Sequence, residues 1–274
     1  SNMTALDFDP ADHHQVFTGV HDIAGAGAFS FTANWDMDVY ATLIICKDRD
    51  GTQEWKWVNG LVGYDEFFSS NDNGAANQDA SNVISVSGTV GTLGSDFTDG
   101  NTIIVEIHRA GAKAGVSNTD SVDGITTTVS ANTVSGFSLV TGTLGASSST
   151  VYSLGHGLGA VPDMAMWKIY DSAGNNSVFH SGLSVPEARN LNFDSNVTEQ
   201  TNTNIWGNTN PTSDLFYLST TSWGTSVNMC GILWAAKPGY SAFGTAAGNG
   251  LADGTVINVG IKPTSFRTKS FDAT

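Results

Sequence analysis

Few stretches of this chain run for about ten residues without a glycine, a proline, an asparagine or a Ser/Thr cluster, so amphipathic helices have almost no room. Short apolar runs fill the gaps instead. Val39–Ile45, Val83–Val86, Thr102–Ile107, Gly136–Val140, Met164–Trp167, Leu215–Leu218 and Cys230–Trp234 have the length and content of half-buried or buried strands. Between them stand Asp50-Gly51, Asn73-Gly74, Asp99-Gly100, Asp123-Gly124, Asn249-Gly250 and Asp253-Gly254, pairs that offer the positive φ of tight hairpin turns. The expected fold class is all-β, built of tandem antiparallel β-sandwich units of jelly-roll or concanavalin-like form.

A chain of 274 residues removes roughly three quarters of its unfolded surface from water, so it needs neither disulfide nor metal to hold a core. Cys46 and Cys230 lie in apolar runs and are expected as buried free thiols. With 26 acidic against 11 basic side chains the formal charge is −15, which argues against nucleic acid or an anionic membrane as partner. No run approaches the roughly 18 apolar residues of a membrane span, so no membrane insertion is expected, and the start lacks the basic and apolar regions of a signal peptide. Ser1-Asn2 before Met3 looks like an expression scar and is set aside.

The chain repeats itself. Lys47 and Lys168 each end an apolar strand and are followed by polar turns, Asp48–Gly51 and Asp171–Gly174. Trp55–Leu61 and Ser177–Leu183 then superpose at an offset of 122, and the units close with strands ending at His108-Arg109-Ala110 and Trp234-Ala235-Ala236. A third start, Gly260–Lys269, aligns with Gly159–Lys168 at an offset of 101, with glycine, proline and lysine coinciding. The expected organisation is an N-terminal tail (1–14), repeat 1 (15–134), repeat 2 (135–240), and the start of a third repeat (241–274) as a hairpin packing on repeat 2.

From Phe137 to Lys269 the pattern becomes more specific. It runs through Phe137, Thr141-Gly142, Gly155-His156-Gly157-Leu158-Gly159, Pro162, Lys168, Val178-Phe179-His180, Leu183, Leu191-Asn192, Trp206, Pro211-Thr212-Ser213 and Gly239–Gly244, then Gly248-Asn249-Gly250 and Asp253-Gly254. This pattern resembles a repeat domain of unknown function, often tandem, in structural proteins of marine and other tailed bacteriophages, where it accompanies lectin-like sandwiches. Ser177 stands where that family usually has Trp, Lys237 lies near where it has an acidic residue, and the N-terminal unit keeps Trp55 but has no GHGLG element. The resemblance implies a virion or tail-fibre context, extracellular, and no particular reaction.

Candidate chemistry is sparse. The spacing of Gly155, Gly157 and Gly159 is not G-x-G-x-x-G, and a proline and a strand follow rather than a helix, so no phosphate site is expected. His156 is read as a turn residue bonded to backbone, His180 as alternating out of a strand, and His13 and His14 as part of the tail. Glu54, Glu66, Glu106, Glu187 and Glu199 are scattered, with Glu106 read as facing out of its strand, and nothing selects a hydrolytic pair. Asp48, Asp50 and Glu54 have the alternating oxygens of a calcium loop without the rest of its pattern, so calcium is a weak candidate and no other cofactor is expected. Trp55 and Trp57 alternate, so on a strand they share a face that could stack on sugar rings. Trp206 and Trp223, in polar loops, are the other ligand candidates.

The expected function is a non-enzymatic virion or tail-fibre-like structural or adhesion module whose loops bind host-surface glycans or neighbouring virion proteins. Fibre proteins of this kind are often trimers, so a homo-oligomer is expected. A carbohydrate-active hydrolase and a purely structural spacer are the alternatives.

Overall fold

The computed structural model describes residues 6–25, 27–70, 72–75, 77–78, 83–118 and 125–271. Nine strands form the first unit: β1 (His14–His21), β2 (Ser30–Thr32), β3 (Tyr40–Asp48), β4 (Lys56–Asn59), β5 (Glu66–Ser69), β6 (Asn77–Gln78), β7 (Ile84–Ser87), β8 (Val90–Leu93) and β9 (Asn101–Ala112). Ten follow: β10 (Val116–Asn118), β11 (Thr127–Asn132), β12 (Phe137–Thr143), β13 (Val151–Gly155), β14 (Met164–Ile169), β15 (Ser177–His180), β16 (Arg189–Asn192), β17 (Gln200–Thr201), β18 (Leu215–Ser219) and β19 (Asn228–Trp234). All pair antiparallel, in sheets ordered β1-β9-β3-β4-β5-β6, β2-β8-β7, β10-β11-β12-β19-β14-β15-β16-β17 and β13-β18. The all-β sandwich is as expected, and every apolar run singled out in the sequence lies on a strand to within one residue.

The repeat is visible in the pairing. Order β1-β9-β3-β4-β5-β6 recurs as β12-β19-β14-β15-β16-β17, so β3 corresponds to β14 and β9 to β19. Matched through these strands, Leu43↔His108 corresponds to Met164↔Trp234, as the strand ends in the sequence suggest. The 122-residue offset for the next strand is corrected by one: Ile45 pairs Trp57 and Met166 pairs Val178, so Trp57 answers Val178 at 121. A one-residue slip would exchange the two faces of the strand. The observed register keeps Val58 and Phe179 each inside its own sandwich.

Two boundaries also change. β11, expected in repeat 1, pairs with β12, and β10 pairs with β11, so both extend the second sheet and the first unit ends at β9. The expected N-terminal tail is not loose at its inner end: Pro10–Asp12 form a 3-10 turn, His13 is buried against Asn132 at 2.7 Å, and His14 opens β1.

The two units pack large sheet to large sheet. Ala41, Leu43, Ile45 and Trp57 from one side meet Leu139, Met166, Val178 and Ile232 from the other in a central core. Ile44, Cys46 and Val58 point outward to the three-stranded sheet, and Ala165, Trp167 and Phe179 to the two-stranded one. β3 and β14 are therefore covered on both faces, which is why they read as continuous apolar runs rather than alternating ones. Lys47 and Lys168 reach from matching positions to carbonyls of the turns that follow, Lys47 to Gly51 (3.3 Å) and Lys168 to Gly174 (2.9 Å). The free thiols are buried as expected, which raises both pKa values to about 12.

A polar clasp joins the units. Asn176, buried, donates through Nδ2 to the carbonyls of Ser69 (3.0 Å), Ser70 (3.1 Å) and Asp72 (2.9 Å). Asn176→Ala leaves these carbonyls unanswered and is expected to cost about 1–3 kcal/mol. A urea midpoint unchanged from that of the parent chain would show that water replaces the amide without loss.

The expected C-terminal hairpin is absent: no strand occurs within residues 241–271 among the described residues, and these bends and turns carry Val256 at 93% exposure. Gly250 and Gly254 turn with positive φ, but no partner strand lies beside them. From Thr264 the chain runs as a strap over both units, with Arg267 on Glu106, Lys269 on the Ser195 carbonyl, and the Phe271 carbonyl accepting from Glu199 N (2.9 Å). A run of Gly, Ala and Asn upstream cannot bury enough apolar surface to compete for a sheet edge.

Candidate functional site

Three of the four candidate tryptophans are core residues. Trp57 packs on Phe68 and Phe193 in the central core. Trp206 is fully buried, edge-on to Phe179 and Phe216, and its Nε1–H donates to the Arg189 carbonyl (2.7 Å). Trp223 donates to the Ile205 carbonyl (3.0 Å) and keeps only a ring edge at the surface. Trp55, 39% exposed, precedes β4 and shares no strand face with Trp57. The shared sugar-stacking face is therefore not formed: each indole N–H of the loop tryptophans finds a carbonyl, and its ring closes the sandwich.

The calcium candidates are spent on their own turn. Asp48 is fully buried and its Oδ1 accepts from Asp50 N (3.0 Å), Gly51 N (2.9 Å) and Asn101 Nδ2 (3.0 Å). Asp50 Oδ2 accepts from Thr102 N (2.7 Å), a bond that lowers its pKa, while Glu54 points to solvent. Gly51 and Gly74 do not have positive φ, so at the first of these the turn is set by Asp48 rather than by glycine. Gly100 does turn with φ +84° into β9, and Asp123-Gly124 lies outside the described residues.

A cleft of about 150 Å³ opens over the Ser177 end of β15 and over β16 and β17, where Ile205 and Trp223 rather than β13 or β18 face the larger sheet. On those strands Val178 and Leu191 face the central core, so Ser177, Asn190 and Asn192 face the other way, toward the sandwich interior. Uncovered there by an outer strand, the sheet carries amides and a hydroxyl instead of apolar side chains. They bond in a chain: Ser177 Oγ and Asn190 Nδ2 donate to Asn192 Oδ1 (3.1 and 2.9 Å), and Asn192 Nδ2 donates to Gln200 Oε1 (3.3 Å). Across the cleft, Ser222 Oγ donates to Asn202 Oδ1 (3.2 Å), and Ile169, Ile205 and Trp223 supply apolar edges. Among the described residues no carboxylate lines it. Neutral groups that both donate and accept, beside apolar edges, match a ligand dense in hydroxyls and C–H groups.

A second cluster was not anticipated. Glu106, read from the sequence as facing outward, is buried, and its Oε1 accepts from His14 Nε2 (3.0 Å), His108 Nε2 (2.8 Å) and Arg267 Nη1 (3.1 Å). Burial alone would raise the Glu106 pKa, but hydrogen bonds from His108 and His14 and the charge of Arg267 hold it far below the usual carboxylate range. Burial holds the His108 imidazole below its ordinary range against the pull of Glu106. Glu106 and His108, two apart on one strand, share a face, and that spacing was the available signal. His14 joins them because β1 pairs β9 with His14 opposite His108, which brings it to Glu106 across 92 residues of chain, a register that local patterns do not carry.

His156 fills its expected turn role: Nε2–H donates to the Thr212 carbonyl (3.1 Å) and Nδ1 accepts from Leu158 N (3.3 Å). His180 is half-buried, and its Nδ1 accepts from Gly182 N (2.9 Å). No helix among the described residues is long and apolar enough to cross a membrane. No curated protein and no solved structure matches the chain. A family profile spans both units, the cleft, the carboxylate–imidazole cluster and the strap, and this protein belongs to that family, described as Domain of unknown function (DUF7483), over residues 12–274.

Proposed function

We propose that the chain is a non-enzymatic adhesion module, of the virion or tail-fibre kind its sequence resembles, and that it holds a neutral glycan in the cleft beside β15, β16 and β17. The observation that carries this reading is the lining: uncharged amides and hydroxyls already bonded to one another, with Trp223 and two isoleucines at the edge. The mutual hydrogen bonds hold the amides in place before a ligand arrives, which reduces the entropy lost on binding. The cleft has no carboxylate to act as general acid or nucleophile on a sugar, so it is suited to holding a glycan and not to cleaving one. A rigid double sandwich presenting one polar cleft suits repeated, weak contacts to a surface, with affinity multiplied by copy number.

Screening on a glycan array followed by calorimetry tests this reading. Gln200→Ala and Asn175→Ala, both at exposed positions, are expected to weaken binding of a neutral saccharide about tenfold, about 1.4 kcal/mol, with the thermal transition unchanged. Absence of any saccharide binding, or binding lost with Trp55→Ala and not with these two, would remove the cleft from the account. Turnover of the bound glycan would replace adhesion by hydrolysis.

A further inference from the structure

We infer that His14, Glu106 and His108 form a transition-metal site, which the Arg267 guanidinium fills in the metal-free chain. Their ligand atoms lie within 4.8 Å of one another. Zinc bound tetrahedrally at about 2.0–2.1 Å needs its ligand atoms roughly 3.3 Å apart, so small side-chain rotations close the set. The backbone is already placed: His14 and His108 are paired across β1 and β9, and Glu106 projects from the same face as His108.

The other repeat supplies the independent observation. Matched through the sheets, His14, Glu106 and His108 correspond to Phe137, Ile232 and Trp234, since His14↔His108 answers Phe137↔Trp234 and Ile45↔Glu106 answers Met166↔Ile232. The sandwich therefore forms with apolar side chains at all three places. A buried carboxylate with two imidazoles costs desolvation that an apolar trio avoids, so packing does not account for it. Nor does pairing with Arg267 require two histidines converging on one oxygen.

Two imidazoles and a carboxylate with an open position suit Zn²⁺, Co²⁺ or Ni²⁺. On binding, each imidazole presents its Nε2 lone pair to the ion, with the ring proton carried on Nδ1, and Glu106 exchanges the guanidinium for the metal. Arg267 sits on the strap, which has no strand pairing to hold it, so it is the member able to leave. Metal loading would then loosen residues 264–271 from both units.

The test uses the full chain, freed of metal by chelation, titrated with Zn²⁺ in a calorimeter and with Co²⁺ by visible absorption. One ion per chain is expected, with a Co²⁺ d–d band showing nitrogen and oxygen ligands. Arg267→Met is expected to tighten binding at least tenfold by removing the competing cation. His14→Phe and His108→Trp, which copy the other repeat, are expected to keep the fold and weaken binding at least tenfold. Failure of Zn²⁺ to saturate one site, or affinity unchanged in both histidine variants, overturns the site. Unchanged affinity in Arg267→Met overturns the competition.

Discussion

Gly231→Val is expected to destabilise the protein by about 3 kcal/mol or more, lowering the thermal midpoint by roughly 10 °C for a chain of this size. A Cβ at Gly231 would lie 2.6 Å from the ring of Trp167, its cross-strand neighbour. That ring is fully buried and packs 5.4 Å from Phe216, so it has no direction in which to yield. In the other unit the matching cross-strand pair is Cys46↔Val105: a small residue replaces the indole and a branched one replaces the glycine. The two pairs fill the same place by opposite choices, which is how cores keep volume while residues change. Trp167→Cys alone leaves a cavity and is expected to cost about 3–5 kcal/mol. Combining both changes builds the first unit's pair in the second, and should cost less than the sum by about 1–3 kcal/mol. Denaturant melts of the four proteins measure that coupling; strict additivity would mean the two sites do not share one volume.

The same comparison shows why the strands were legible in the sequence and parts of their arrangement were not. β3, β14 and β19 are covered on both faces, so their apolar runs stand out without any alternation. The strand beginning near Trp55 is short, and the shared Leu61/Leu183 pattern placed it one residue out of register. Only the pairing of Trp57 with Ile45 corrects this. Trp206 and Trp223 sit among Asn, Thr and Gly, and polar neighbours say nothing about the direction of the indole between them. Trp206 lies in a turn and Trp223 ends a one-turn helix (Thr220–Trp223), and each N–H finds a carbonyl, so the rings go inward. The amide cleft depends on how far β13 and β18 reach over the larger sheet, and that extent is a property of the assembled layers. His14 and Glu106 were hidden for the same reason: a site across paired strands is legible only once the register is known.

Acidification through the imidazole range is expected to destabilise the fold, with His156 one of the causes. Burial lowers its pKa below the usual 6.5, against smaller opposing effects of the Thr212 carbonyl and Asp214. The hydrogen bonds show why the neutral form is required. Nε2–H donates to the Thr212 carbonyl, and Nδ1 accepts from the Leu158 N–H, so a proton on Nδ1 would face another N–H in a buried turn. His156 N also donates to the Asp214 carbonyl (3.1 Å), and its own carbonyl accepts from Ser138 Oγ (2.6 Å), so the ring cannot swing out without breaking the turn. The unfolded chain takes up the proton near pH 6.5 while the folded chain resists it. This stability is therefore complete above pH 6.5, and it falls as pH drops through and below that value until the folded pKa is reached, by up to about 1.4 kcal/mol per pH unit. His13, His108 and His180 are shifted in the same direction, burial again first among the causes, and add to the slope. His156→Gln keeps an amide that can donate and accept and has nothing to protonate. Urea midpoints measured from pH 8 to pH 4 should fall less steeply in that variant than in the parent chain, by up to one proton's worth of slope. Equal slopes would place the acid sensitivity in the other histidines and leave the His156 turn indifferent to its charge.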